Sequence, residues 1–183
     1  GVDFYLQKGG EPRPQFMELS HKIRQAVRRK KAERSHRETE KRLSDIIEFL
    51  PDPTFAIDRS GKVIAWNRAM EHLTGVPSQE ILGKGDYEYS IPFYGVQRPI
   101  LIDLALHSDK EIEKLYVSTE YSDDVIIGEA FVPSLKGGTI YLWGAATPLR
   151  NSSGEIVGAI ESIRDITERK RVEDELHQAR EDL

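Results

Sequence analysis

Three strand-like segments separated only by tight turns dominate the second half of the chain, and they restrict its fold more than any other feature. They cover Val125–Val132, Thr139–Leu149 and Glu155–Ile166. Gly137-Gly138 supplies the first turn, and residues 151–154 (Asn-Ser-Ser-Gly) supply the second. Because strands joined by such short turns pair with their neighbours, this half of the chain predicts an antiparallel sheet.

A shorter pair of strands lies earlier in the chain and belongs to the same predicted sheet. Thr54–Asp58 and Val63–Trp66 are apolar and are separated by the turn Arg59–Lys62, which predicts a β-hairpin. Asn67 can cap a short helix, and a further helix is expected from about Arg98 to His107. Five strands with helices grouped between the second and the third indicate an α+β fold.

The first fifty residues predict a long charged helix outside this sheet. Nothing between Gln15 and Phe49 breaks a helix, whereas Pro51 and Pro53 end it. A continuous helix of this length would measure about 50 Å. Such a charged helix cannot bury itself in a small domain, so it is expected to pair with a partner helix or to fray near residues 34–38.

The last residues of the chain have the spacing of a coiled coil. Val172, Leu176, Ala179 and Leu183 follow one another at intervals of four, three and four residues. The alternative is a lone solvated helix, because the pattern lasts for only about two heptads. We expect a homodimer that forms through this helix, through the helix over residues 16–49, or through both.

The composition excludes several kinds of site and partner. The chain has 183 residues, a net charge of -5 and no cysteine. The missing thiols exclude disulfides, thiolate metal sites and cysteine nucleophiles, and no metal site is predicted. The net charge gives no attraction to nucleic acid or to anionic membranes, and no apolar run approaches the roughly 18 residues of a membrane span. We therefore expect a cytoplasmic protein, and we interpret the basic residues 28–31 as a solvated helix surface.

Short motifs spread between Leu43 and Lys170 resemble a PAS domain in their order and spacing. They are Leu50-Pro51-Asp52, Ile57-Asp58, Gly61-Lys62-Val63, Trp66-Asn67-Arg68-Ala69, Leu73-Thr74-Gly75, Ile81-Leu82-Gly83 and, in the C-terminal PAC motif, Gly154-Glu155-Ile156-Val157-Gly158 and Asp165-Ile166-Thr167-Glu168-Arg169-Lys170. The resemblance implies that residues 51–167 form a five-stranded antiparallel sheet in the order 2-1-5-4-3, with helices on one face and a small pocket between them.

The same resemblance gives a role to the end of the last predicted strand. Asp165-Ile166-Thr167 resembles the junction through which PAS domains pass a signal to an output helix, here residues 168–183. Asp165 would bond back to the domain and Thr167 would help to start the helix. The alternative is an ordinary strand end followed by a threonine N-cap.

The first thirty residues resemble the end of a response-regulator receiver domain. Residues 4–8 would form its last strand, with Lys8 as the lysine that contacts the phosphoryl group, and residues 16–27 its last helix. Gly9 stands where a receiver usually has proline, and the acidic pocket and the phosphorylated aspartate are absent from the sequence. Residues 1–30 are therefore interpreted as a remnant of such a domain, and residues 31–50 as a linker helix.

One histidine in the first helix resembles the phosphoacceptor of histidine kinases. That chemistry requires an acid beside the histidine as general base, but Lys22 follows His21. We interpret His21 as a helix-surface residue. The fragment is therefore not expected to be an enzyme, although its parent protein is expected to contain a kinase or another output domain.

The pocket implied by the resemblance would be apolar and aromatic. Its candidate lining residues are Phe55, Ile57, Met70, Leu73, Leu104, His107, Tyr141, Trp143 and Ile160. The alternative is that these side chains only fill the core. Residues 140–143 are apolar on both sides, so alternation does not settle which face looks inward.

PAS pockets elsewhere in the family hold haem, flavin, small acids or nothing. Cysteinyl flavin is excluded because the chain has no cysteine. Haem would need an axial histidine such as His107, for which we favour a capping or exposed role. An organic acid would need a buried cation, and Arg98 is a weak candidate. We expect no ligand or a small organic one.

Together these observations favour a PAS sensory and dimerisation module of a two-component phosphorelay protein, such as a sensor histidine kinase. A signal in the pocket or from an upstream domain would pass through Asp165 to the C-terminal helix. The alternative is a ligand-free interaction module that only sets the oligomeric state.

Overall fold

The structure, a computed structural model, describes residues 12–181 with the exception of 108, 133, 134, 136, 137 and 139. The chain divides into two compact units, Gly1–Asp45 and Ile46–Leu183. Most of helix α1 (Pro12–Glu48) belongs to the first unit. The strand predicted over residues 4–8, with Lys8, lies outside the described residues, so the interpretation as a receiver remnant stays a prediction.

Helix α1 is continuous through residues 34–38, where the sequence left open that the helix would fray. Successive ion pairs join residues four apart, with Arg29–Glu33 at 2.8 Å and Arg34–Glu38 at 2.9 Å. Each such exposed pair contributes only about 0.3–0.5 kcal/mol, so the helix gains modest support from its own surface. Most of its described apolar side chains are exposed, as Leu43 and Ile46 illustrate.

The second unit is built on one antiparallel sheet of six strands. The strands are β1 (Thr54–Asp58), β2 (Val63–Trp66), β3 (Ser118–Ser122), β4 (Val125–Val132), β5 (Ile140–Arg150) and β6 (Ile156–Asp165). Their spatial order is β2-β1-β6-β5-β4-β3. The order predicted for five strands is therefore confirmed, and one edge strand is added to it.

Strand β3 was not predicted from the sequence, because almost none of its side chains is buried. Its sequence, Ser-Thr-Glu-Tyr-Ser, has four exposed residues out of five. It pairs only with β4 and forms the edge of the sheet. A polar edge strand lacks the apolar alternation on which strand prediction depends.

The helical segments of the second unit lie between β2 and β3, as predicted, apart from the C-terminal helix. They are α2 (Arg68–Thr74), α3 (Ser78–Ile81), a 3-10 turn over Glu88–Ser90, α4 (Ile91–Tyr94), α5 (Leu101–Leu106), α6 (Lys110–Glu113) and α7 (Thr167–Glu181). Helix α5 is shorter than the helix predicted from Arg98. It begins after Ile100 because the carboxylate of Asp103 accepts a hydrogen bond from the Ile100 N–H at 2.7 Å.

The core lies between these helices and one face of the sheet. On β5 the inward residues are buried and the alternate ones are half-buried, so the strand follows the period of two. Phe55, Met70 and Leu101 are fully buried. Each such side chain contributes roughly 1.5–3 kcal/mol through removal of its apolar surface from water. Within the part of the chain described above, no helix has both the length and the apolar content needed to cross a membrane.

Candidate functional site

The structure brings five of the predicted pocket residues together inside the domain. These are Phe55, Ile57, Met70, Leu73 and Leu104, all buried in one apolar cluster. The first two come from β1, the next two from α2 and the last from α5. They make up part of the interior that the resemblance implies between sheet and helices.

Three predicted residues lie instead on the outer face of the sheet. Tyr141 and Trp143 alternate with the inward residues of β5, and Ile160 does the same on β6. Tyr141 stacks edge-on against Phe131 of β4, with 5.3 Å between ring centroids. The guanidinium of Arg164 lies 5.5 Å from the centroid of the Trp143 ring. These side chains therefore do not line the interior.

His107 also lies away from the interior. It ends α5, and its backbone N–H donates to the carbonyl of Asp103 at 2.9 Å. Its side chain is exposed beside the turn that joins β1 and β2. Arg98 is half-buried, with its guanidinium carbon 3.7 Å from the centroid of the Tyr94 ring.

The interior contains a small cavity of about 20 Å³. A cavity needs roughly 10–15 Å³ of this measure to hold one water, so the space accepts about one water molecule. Its lining combines aromatic and aliphatic side chains with two glycines and one acid: Phe93, Tyr94, Ile100, Tyr116, Gly128, Ala130, Leu142, Gly144, Glu161 and Ile163.

Glu161 is the acid that lines this cavity, and it was not among the residues predicted from the sequence. It lies on β6 between the inward residues Ala159 and Ile163, and it is only 4% exposed. Its Oε2 has no hydrogen-bond partner. Burial, with the nearby charge of Asp103, raises the pKa of Glu161 to about 8, so the neutral acid predominates at pH 7. A charged residue at an inward strand position was the signal that could have revealed it.

Two glycines that face each other across β4 and β5 make room for this acid. Gly128 is the direct partner of Gly144. A Cβ atom on Gly144 would lie 2.8 Å from Oε1 of Glu161, and one on Gly128 would lie 2.9 Å from the ring of Tyr116. The floor of the cavity is therefore backbone, which allows both side chains to lie close to the sheet.

A second buried acid closes the helical side of the interior. Asp103 accepts a hydrogen bond from the Tyr89 hydroxyl at 2.6 Å through one oxygen, while the other oxygen caps α5. Burial raises the pKa of both Asp103 and Tyr89. Both oxygens of Asp103 have partners, which distinguishes this acid from Glu161.

The junction after β6 attaches helix α7 to the neighbouring strand β5. The N–H of Ile166 donates to the carbonyl of Tyr141 at 2.9 Å, and the N–H of Tyr141 donates to the Thr167 hydroxyl at 3.0 Å. The Asp165 carboxylate accepts from the N–H and the hydroxyl of Thr167, at 3.0 and 2.6 Å. In these bonds Thr167 makes the side-chain contact with the domain, whereas Asp165 orients Thr167.

The described residues contain no group of three histidine, aspartate or glutamate side chains that could hold a metal ion. The interior offers one buried neutral acid, two tyrosines and a cavity of the size of one water molecule. It is therefore suited to accommodate a small uncharged group or to remain closed.

Residues 41–166 match the family model described as "PAS fold". Two curated relatives match the chain over most of its length. The chain is 28% identical over 158 residues to the virulence sensor protein BvgS of Bordetella bronchiseptica, and 30% identical over 136 residues to the signal transduction histidine-protein kinase AtoS of Escherichia coli. These alignments cover 86% and 73% of this chain, but only 12% and 19% of the relatives.

A solved structure of another protein shares the fold at low sequence identity. An RNA-binding light-oxygen-voltage receptor superposes with a TM-score of 0.54 at 19% identity, covering 76% of this chain and 36% of that one. The PAS domain of Bordetella pertussis BvgS has a TM-score of 0.49 at 21% identity, covering 78% of this chain and 98% of that one. The family model spans more than half of the chain. The sheet of this chain carries the five predicted strands in the expected order. The chain therefore belongs to the PAS family and is homologous to the PAS domains of sensor histidine kinases.

Proposed function

We propose that this chain is a sensory and dimerisation module of a two-component protein, and that it has no catalytic activity of its own. A change in the interior or in an upstream domain shifts β6, and the junction at Asp165-Ile166-Thr167 passes this shift to α7. The kinase relatives support this role, and since the chain spans only 12% and 19% of their length, the kinase activity would belong to other parts of such a protein.

The single observation that supports this proposal best is the course of β6. This strand carries the buried Glu161 of the cavity and continues into α7 with only Ile166 between the two elements. Ile166 is itself buried, and hydrogen bonds tie it and Thr167 to Tyr141. A displacement of the strand therefore has a direct covalent and hydrogen-bonded route to the helix.

Exposed apolar surface supports the dimerisation part of the proposal. Leu43 and Ile46 are exposed on α1, and Val172 and Leu176 are exposed on α7. Phe131 is exposed on the outer face of the sheet, next to Tyr141. A homodimer that pairs one or both helices would cover part of this surface, as coiled-coil spacing favours.

The relay is tested by disturbing the interior and observing α7. Gly144→Ala places a methyl group against Glu161, whereas Gly138→Ala enters open space and serves as the control. We expect amide hydrogen exchange at residues 166–170 to change in the first variant only. Amides of the β1–β2 hairpin report any general loss of stability. Unchanged exchange at residues 166–170 in a folded Gly144→Ala protein would contradict the relay.

A second candidate function is a ligand-free interaction module that only sets the oligomeric state. The cavity of about 20 Å³ beside Glu161 favours it, because this cavity accepts no molecule larger than water. Native mass spectrometry and an absorption spectrum of freshly purified protein separate the two candidates. An added small mass or visible absorbance supports ligand sensing, and the bare chain mass supports the interaction module.

The proposed lack of catalysis has its own test. His21 is exposed on α1 and is followed by Lys22 rather than by an acid. We expect no stable label on His21 after incubation of the protein with a labelled phosphodonor. Acid-labile label that a His21→Gln variant loses would overturn this part of the proposal.

A further inference from the structure

The first turns of α7 have a second attachment to the sheet, separate from the junction. Glu129 lies on the outer face of β4, opposite Trp143 of β5. One of its oxygens binds Nη2 of Arg169 at 2.7 Å, and the other binds Nζ of Lys170 at 2.8 Å. Glu129 therefore uses both carboxylate oxygens to hold two neighbouring cations of the output helix.

The cluster of Glu129, Arg169 and Lys170 differs from the ion pairs within α7. Its acid is more buried, and it joins the helix to the sheet. The Glu129 side chain is 17% exposed, whereas Glu168 and Arg171, which pair within the helix, are 75% and 66% exposed. Hydrogen bonds from Lys170 and Arg169 lower the pKa of Glu129, and the bond to Glu129 raises the pKa of Lys170. Lys170 is 27% exposed and Arg169 is 52% exposed, so the pair of Glu129 with Lys170 is the better shielded of the two.

Two attachment points on different strands constrain a helix more than one does. The junction holds residues 166 and 167 to β5, and the cluster holds residues 169 and 170 to β4. Neighbouring strands lie about 4.8 Å apart, so the two points define a line across the sheet. A helix held at the junction alone could swing about that point.

The same two cations have a second acid within reach. Glu173, on the next turn of α7, lies 3.7 Å from Nε of Arg169 and 3.7 Å from Nζ of Lys170. If the contacts to Glu129 break, Arg169 and Lys170 can keep an acidic partner inside the helix. Release from the sheet therefore does not leave these two charges unpaired. The attached and the released helix can then lie close in free energy.

We propose that Glu129 is a positioning residue that holds α7 in one direction on the sheet, and that Glu173 competes with it for Arg169 and Lys170. This inference rests on the proposed relay through the junction and gives that relay two arrangements of the helix. Exchange of the two cations from Glu129 to Glu173 is the step that frees the helix to change direction.

The competition predicts opposite effects for two conservative substitutions. Glu129→Gln removes the charge on the sheet and shifts α7 toward the released arrangement. Glu173→Gln removes the competitor and shifts it toward the attached arrangement. Glu175→Gln is the matched control, because Glu175 is an exposed acid of the same helix that pairs with Arg171.

The chain contains no cysteine, so two spin labels can be placed without other changes. Ser152→Cys and Gln178→Cys, both exposed, put one label on the β5–β6 turn and one on α7. Double electron–electron resonance, with labelled chains diluted in unlabelled ones, measures the distance within one chain. Thermal melts confirm that each variant is folded.

We expect Glu129→Gln to lower the population at the original distance several-fold, Glu173→Gln to raise it or narrow the distribution, and Glu175→Gln to leave it unchanged. The triple swap Glu129→Lys, Arg169→Glu, Lys170→Glu should restore the original distance. An unchanged distribution in Glu129→Gln, or no recovery in the swap, overturns the inference.

The outcomes also separate this inference from the relay itself. If Glu129→Gln leaves α7 in place while Gly144→Ala still changes exchange at residues 166–170, the relay stands without this attachment. If Glu129→Gln moves α7 while Gly144→Ala has no effect on those amides, the attachment is real and the relay fails.

Discussion

Glu161 shows how one side chain can set the pH response of a small domain. A buried carboxylate without a cation costs several kcal/mol, so such groups usually take up a proton instead. The folded protein holds this proton up to a pKa of about 8, whereas the ordinary value is 4.5. The stability that the neutral acid provides is therefore complete below the lower value and is lost as the pH rises toward the higher one.

Glu161→Gln should remove this pH dependence, because an amide keeps the shape of the neutral acid and cannot ionise. We expect wild-type stability to fall by up to about 1.4 kcal/mol per pH unit in the window between the two pKa values. At pH 9 the variant should be more stable than the wild type by about 2–4 kcal/mol, and near pH 5 the two should be similar. Urea unfolding at both pH values measures this difference.

Glu120→Gln, on the exposed edge strand β3, is the control for this experiment, since Glu120 is solvent-exposed. Its pH profile should follow that of the wild type. Equal slopes in the Glu161→Gln and wild-type proteins would show that the acid is not held neutral in the core.

At the scale of elements, one of the two hydrogen bonds that attach the start of α7 to β5 is made by a side-chain hydroxyl. The Thr167 hydroxyl accepts from the N–H of Tyr141 and donates to Asp165. Thr167→Val keeps the shape of the side chain but leaves the Tyr141 N–H without its acceptor, a loss of about 1 kcal/mol. Exchange of the Tyr141 amide should therefore become about fivefold faster.

Thr167→Ser keeps the hydroxyl and is the matched control for this prediction. Its Tyr141 amide should exchange at a rate close to that of the wild type. Slow exchange of the same amide in the valine variant would mean that the hydroxyl does not hold the helix to the strand.

The elements that the sequence predicted well are those whose local chemistry is self-sufficient. Asn67 caps α2 as expected, with its side chain accepting from the N–H of Met70, and Gly75 ends that helix at a φ of 75°. The turn around Gly61, also at positive φ, joins β1 and β2 in the predicted hairpin. In each case a few neighbouring residues determine the conformation without help from the rest of the fold.

Features that depend on distant partners could not be predicted in the same way. The face on which Tyr141 and Trp143 lie is fixed by the pairing of β5 with β4 and β6, not by the sequence of β5, which is apolar on both sides. Likewise, the partners of Glu129 are separated from it by about forty residues, and only the folded sheet brings Arg169 and Lys170 to it. Long-range contacts of this kind leave no local periodicity.

At the scale of the whole molecule, the proposed homodimer predicts the molecular mass that the protein has in solution. The pair Val172→Asp and Leu176→Asp puts two charges on the apolar stripe of α7, and a buried unpaired charge is costly. If α7 forms the interface, light scattering should give twice the 20.9 kDa chain mass for the wild type and the single mass for this variant.

Gln178→Asp adds one charge to α7 away from the stripe and should leave the dimer intact. A dimer that survives the double substitution excludes α7 as the interface and leaves α1 as the other helix proposed for it. A wild-type protein that stays monomeric at high concentration contradicts dimerisation altogether.

A single residue separates β6 from α7, so a change in the direction of β6 would tilt the whole helix. Helix α7 has 15 residues, which corresponds to a lever of about 22 Å at a rise of 1.5 Å per residue. A tilt of about 10° at its base would carry its tip sideways by about 4 Å. In the proposed relay, a small shift of β6 near Glu161 would therefore become a larger sideways shift at the far end of α7.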